Sequence, residues 1–307
     1  MSIDQCMQSV SQGKKMTSKR SVRIRWASVE QALALLGCVV AVLSSQTSVA
    51  QSIAVTHCQG ECPSYNSRVT AKQSNVVIHH LYAAGINATT ALPDWVAYRL
   101  TSEAIGVASL LPRSWQADRL IKYSQLEDVM QSGEEELQLS QNIARNANPY
   151  AGSGTETVKP DNRARLAPMT SFANTPYWSD LNNFSNMVPM PAALRLGPWL
   201  QLEQRLNNVV ATEAGEAYVI AGPLFLISML GTTPSSADLS PAAYFKLVAD
   251  ESGVAAFLFS RDMAQSESYC SRRTTLAEIE DITDIEFFPE RRTVRESSAL
   301  LAKLGCE

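Results

Sequence analysis

From Ser74 to Asn87 the chain reads SNVVIHHLYAAGIN, an apolar, β-branched run that predicts a strand ending in a Gly-Ile-Asn turn. Pro93 and Asp94 open WVAYRLT (95–101), whose β-branched and aromatic content predicts a second strand, so the two read as a hairpin. Residues 124–147 (SQLEDVMQSGEEELQLSQNIARNA) are polar, acidic and helix-favouring, the pattern of a solvated face or surface insertion. NPYAGSGTETVKPDN (148–162) is loop by composition. A short helix is predicted over 179–183, capped by Ser179 or Asp180. GPWLQLEQRLNNVV (197–210) predicts a longer one, because Pro198 suits a first turn and Trp199, Leu202 and Leu206 share a face. AYVIAGPLF (217–225) and VAAFLFS (254–260) are apolar throughout, as buried strands are. TLAEIEDITDI (275–285) is an amphipathic helix with Thr274 or Thr275 near its cap. Strands and helices alternate without a βαβ rhythm, which predicts an α+β fold.

The first 50 residues differ from the rest. Lys14, Lys15, Lys19, Arg20, Arg23 and Arg25 form a basic run without an acid, followed by ALALLGCVVAVL (32–43) and then Ser48-Val49-Ala50. Basic, short apolar and small-x-small segments in that order predict a secretory signal peptide over 1–50, with the working domain over 51–307. The apolar run is short of the about 20 residues that a spanning helix needs; an uncleaved anchor is the competing reading. Removing this segment takes away six basic and two acidic side chains, leaving 20 basic against 28 acidic and a net charge of −8. A long-range basic field for nucleic acid is excluded, so any such binding needs a local patch.

Four cysteines remain after cleavage: Cys58, Cys62, Cys270 and Cys306. An even number in an exported chain predicts disulfides, with three pairings open. Cys58 and Cys62 enclose only three residues, a tight local loop, and Cys270 with Cys306 would then tie the last segment to the body. Zinc is the competing reading, although the spacing is not that of a Cys-x-x-Cys site.

Read in order, RLAPMTSFA (165–173), SDLNNFSNMVPM (179–190), a helix carrying WLQLE (199–203) and YVIAGPLF (218–225) resemble the DNA/RNA non-specific endonucleases. These are ββα-metal nucleases with an Asp-Arg-Gly-His motif. DWVAYRL (94–100), both cysteine pairs and the ending TLAEIEDITDIEFFP through LGCE fit as well, so the resemblance covers nearly all of residues 51–307. It implies a central antiparallel sheet flanked by helices, phosphodiester hydrolysis of DNA and RNA, a magnesium cofactor, a secreted or periplasmic location, no membrane contact after signal cleavage, and a possible homodimer.

Carried across residue by residue, the resemblance is mixed. The motif Asp falls on Asn162, or on Asp161 if a residue is inserted; the Arg falls on Arg163 and the Gly on Ala164. The general-base position is Arg165 and the metal-ligand position is Arg195. Glu203 matches the residue that orients metal-bound water, Arg113 a phosphate-holding Arg, and Asn186 a further Asn of the pattern, which the resemblance places with the arginines among the nucleic-acid-binding residues. Guanidinium has donors and no acceptor, and stays protonated at physiological pH. Arg165 therefore cannot take a proton from water, and Arg195 cannot ligate a cation. Among the three histidines, His57, His79 and His80, none lies near the motif in sequence, and His79 and His80 should face opposite sides of a strand. Arg113, Arg163, Arg165 and Arg195 are instead expected to converge on a phosphate-binding cleft, with Glu203 near enough on its helix to pair with Arg195. The competing reading is a decayed cleft serving only as a scaffold.

Overall fold

Side chains alternate along the long apolar strands, and both faces of the sheet they form are covered. The computed structural model describes residues 55–66, 74–87, 92–124, 162–213, 215–225, 241–290 and 294–306, all within the compact unit Ser52–Glu307. The expected signal segment 1–50, most of the acidic stretch 124–147 and the loop 148–161 lie outside the described residues. No helix among the described residues is long and apolar enough to cross a membrane.

The strands in chain order are β1 (Ser64–Tyr65), β2 (Ser74–Ile78), β3 (Ala83–Asn87), β4 (Pro93–Thr101), β5 (Arg163–Arg165), β6 (Met187–Pro189), β7 (Glu216–Leu224), β8 (Ala243–Asp250), β9 (Gly253–Ser260), β10 (Arg273–Thr274) and β11 (Ile285–Glu286). The helices are α1 (Ala192–Leu196), α2 (Pro198–Glu213), α3 (Leu276–Thr283) and α4 (Ser298–Lys303). Seven strands form one antiparallel sheet in the order β10-β9-β8-β7-β4-β3-β2; β1 pairs with β11 and β5 with β6. The α+β expectation with a central antiparallel sheet therefore holds.

On β4, Val96, Tyr98 and Leu100 bury toward one face and Trp95 and Ala97 toward the other. The first face packs against Trp199, Leu202, Leu206 and Val210 of α2, the apolar stripe read from the sequence. The second packs against Ile279 of α3 and against Ile285, Phe287 and Phe288. Thr275 caps α3, its hydroxyl accepting from Glu278 N at 3.1 Å.

Two elements differ from expectation. Residues 74–87 form two strands, because His79-His80-Leu81-Tyr82 reverse the chain, His79 N donating to Tyr82 O at 2.8 Å. The predicted hairpin is thus a three-stranded meander. The short helix is a 3-10 turn over Trp178–Asn182, and neither Ser179 nor Asp180 caps it; Tyr177 stands at that position without a side-chain cap. Both expected disulfides are present, Cys58–Cys62 and Cys270–Cys306.

Candidate functional site

Residues i and i+2 of a strand share a face, so β5 presents Arg163 and Arg165 on one side and buries Ala164 in the core on the other. β6 pairs antiparallel with it, Arg165 opposite Met187 and Arg163 opposite Pro189, and α1 follows. Asn186 locks this ββα unit together. Its Oδ1 accepts from Ala167 N at 2.7 Å, and its Nδ2 donates to Ala167 O at 2.9 Å and to Leu181 O at 3.0 Å. Asn186 was expected among the ligand-binding residues; it is buried, with its carboxamide committed to backbone, and its work is to hold β5 and β6 in place.

Arg113, Arg163, Arg165, Arg195 and Glu203 line one pocket of about 290 Å3, whose other walls include Ala108, Met169, Leu196 and Trp199. Arg113 comes from the loop after β4, Arg195 from the last turn of α1, and Glu203 from the second turn of α2. Gly197 lets these helices follow one another at close quarters, since a Cβ there would collide with the carbonyl oxygens of Ala193 and Gln265.

Arg165 is held on several sides. Its Nη2 donates to Asn182 Oδ1 and to Arg113 O, the latter at 3.3 Å, and its guanidinium lies 4.2 Å from the Trp115 ring centroid. Asn182 is oriented in turn, Nδ2 donating to Pro112 O at 3.1 Å. Arg165 Nε is buried without a hydrogen-bond partner among the described residues. Burial, and then the charges of Arg113 and Arg195, pull its pKa down to about 10, which still leaves it a cation at neutral pH. Arg163 stacks at 5.5 Å over Phe184.

Glu203 departs from expectation. Its carboxylate accepts from Lys246 Nζ at 2.7 Å, so the ion-pair partner that the structure supplies is a lysine of β8, where Arg195 had been expected. The reason is the alternation of β8: Tyr244, Lys246 and Val248 point toward α2, and Lys246 is 0% exposed. The ammonium also lies 3.8 Å from the Trp199 ring centroid. Burial raises the carboxyl's pKa and lowers the ammonium's, while each charge opposes that for the other. Sequence reasoning missed Lys246. The available signal was a lone charge inside the otherwise apolar AYFKLVA (243–249).

His79 and His80 lie in the β2–β3 turn and not on a strand. His79 Nε2 meets Asp118 Oδ2 at 2.7 Å, and Asp118 also accepts from Ser185 Oγ. Burial pushes the Asp118 carboxyl up, but the His79 and Ser185 contacts and Leu120 N–H outweigh it and leave the pKa lowered. His80 is exposed, stacked 4.0 Å from Tyr177, with Nδ1 2.9 Å from Asp180 Oδ2. Both line one pocket with Asp118 and Asp180, so the divergence expected of neighbours on a strand does not hold. Neither histidine lines the arginine pocket.

Residues 62–293 match the family model for DNA/RNA non-specific endonuclease. The nuclease of Serratia marcescens is 26% identical over 260 residues, covering 82% of this chain and 87% of that protein. Among solved structures, the crystal structure of the EndoG/EndoGI complex is similar with a TM-score of 0.47 and 15% identity, over 69% of this chain and 85% of that one.

Proposed function

The chain belongs to the DNA/RNA non-specific endonuclease family, and from that premise we propose that it is an exported member that binds phosphate-bearing ligands, DNA or RNA among them, with hydrolysis lost or strongly reduced. One observation carries this reading. Among the described residues, the pocket at the motif is lined by four arginines and by one carboxylate, Glu203, which is engaged by Lys246. Guanidinium forks suit phosphate oxygens, and one that is partly desolvated binds them more strongly than one in water.

Magnesium, which the family resemblance implies, does not fit the residues present. Arg165 and Arg195 offer donors only, and Glu203 already faces an ammonium. General-base assistance is worth about 10²–10⁴-fold in rate, and Arg165 cannot supply it. Arg195 neutralises phosphate charge without Lewis acidity. Export is supported by the basic, apolar and small-x-small order of the first 50 residues and by two disulfides, which persist in oxidising compartments.

The test is cleavage of plasmid and RNA in magnesium by the full-length chain, beside gel retardation at low salt. Retardation without cleavage is expected; robust magnesium-dependent cleavage overturns the proposal. Arg165→His with Arg195→Asn should restore cleavage only weakly while Lys246 still holds Glu203, and more fully once Lys246→Met is added.

A further inference from the structure

We infer that the arginine pocket selects a dianionic phosphate monoester, the end of a nucleic-acid strand or a free nucleotide, over the internal phosphodiesters of a backbone. The inference rests on the phosphate-binding reading above and narrows it to one chemical class.

The first ground is how the charge is arranged. A backbone track strings its cations along a groove, one or so per diester, because the charges of the polymer are strung out too. Here Arg113, Arg163, Arg165 and Arg195 are gathered around about 290 Å3, in a chain whose formal net charge is −4. The charges of Arg113 and Arg195 both act on Arg165, and such a cluster matches one compact, highly charged group. It does not match a run of single charges.

The second ground is the count of charges and acceptors. An internal diester carries one negative charge and two terminal oxygens. A monoester carries about −1.5 to −2 at pH 7 and three strong acceptor oxygens. Among the described residues, the carboxylate that lines the pocket, Glu203, is held by Lys246. At Arg165 the two neighbouring charges that act on it are both positive, and they add to its burial. A second negative charge on the ligand relieves that repulsion, where a diester relieves less of it.

The third ground is the character of the walls. Ala108, Met169, Leu196 and Trp199 offer apolar surface beside the guanidiniums. Such walls reduce the water beside a bound headgroup on the side that they line, which strengthens its charge-assisted hydrogen bonds there.

Fluorescence anisotropy with the full-length chain in EDTA tests this, using one labelled 12-residue single strand carrying a 5′-hydroxyl, a 5′-phosphate or a 3′-phosphate. At least one phosphorylated end should bind about tenfold or more tightly than the hydroxyl strand, since charged hydrogen bonds are the stronger class. Closed circular single-stranded DNA should compete no better than the hydroxyl strand. The log–log salt slope should be shallow, about −0.7 to −1.4, as expected for one or two neutralised phosphates of a single strand. Competition by a nucleoside 5′-monophosphate at matched affinity assigns the source to free nucleotides; its failure beside a phosphorylated strand assigns it to strand ends. Both outcomes support the monoester. Arg113→Gln, on an exposed loop, should shrink the preference for the phosphorylated end without lowering Tm. Equal affinity for hydroxyl, phosphorylated and circular DNA overturns this inference and leaves phosphate binding standing. No binding by any probe overturns both.

Discussion

Lys246 Nζ of β8 stands 2.7 Å from Glu203 Oε1 of α2, and the pair bridges sheet and helix directly behind the arginine pocket. The desolvation of two charges offsets most of their attraction, so such a pair adds little net stability, yet losing one partner strands the other in the interior. Lys246→Met alone should therefore cost about 3–5 kcal/mol, and Glu203→Leu with Lys246→Met should recover most of it. Urea denaturation of the wild type, both single variants and the double variant checks this. A double variant as unstable as the sum of the singles would show the two groups to be uncoupled.

The same pair marks the limit of what the sequence discloses. Periodicity located α2, β7, β9 and α3 because each buries one face or both against the body of the fold. It misread 74–87 because His79 and His80 sit inside an apolar run, and apolar character alone does not register the reversal that His79 N and Tyr82 O close. At the site, the arginines were legible as residue types, and their gathering around one pocket was implied by the family resemblance and not by spacing. Lys246 was not legible. It lies 43 residues beyond Glu203 and reaches it only through the pairing of β7 with β8. Asn186 could be read as a ligand-facing residue because a sequence does not say whether a carboxamide faces backbone or solvent.

Asn186 tests that distinction. Its two N–H donors serve carbonyl oxygens of Ala167 and Leu181, so Asn186→Asp would bring a buried carboxyl against two acceptors. A loss of about 3 kcal/mol or more is expected, since unsatisfied buried groups cost about 1–3 kcal/mol each. Phosphate affinity per folded molecule should be unchanged. Urea melts with anisotropy on the folded fraction separate the two effects, and a selective loss of affinity with normal stability would return Asn186 to the binding surface.

The two disulfides should differ in worth. Cys270–Cys306 closes a separation of 36 residues, and Cys58–Cys62 closes one of 4. Loop-closure entropy gives about 4 kcal/mol for the longer loop and about 2 kcal/mol for the shorter. Replacing Cys270 and Cys306 by Ser should lower Tm more than replacing Cys58 and Cys62, and calorimetry on the two double variants reads the order. The longer bridge also fastens the segment after α4 to the 3-10 turn at Tyr269–Arg272, so its loss should loosen that end first.

Asp94 sets a pH dependence whose sign follows from its surroundings. Burial raises its pKa to about 6, and hydrogen bonds from Tyr65 and Asn87 only partly restrain the rise. Tyr65 donates its hydroxyl to Asp94 Oδ2 at 2.6 Å. A carboxyl in the unfolded chain titrates near 3.9, so between about pH 4 and 6 the folded protein holds a proton that the unfolded chain has released. Stability attributable to this group therefore falls as pH rises through that window, and above pH 6 the whole cost of the buried charge is felt. Asp94→Asn removes that cost and keeps an oxygen for the Tyr65 hydroxyl. The variant should be more stable than wild type by about 1–2 kcal/mol at pH 7.5, with the half-burial of the side chain allowed for. At pH 4 the two should be nearly equal. Urea denaturation at the two pH values measures the difference directly. A variant destabilised equally at both would mean that the ionised carboxylate is needed for the fold and that its burial carries no cost.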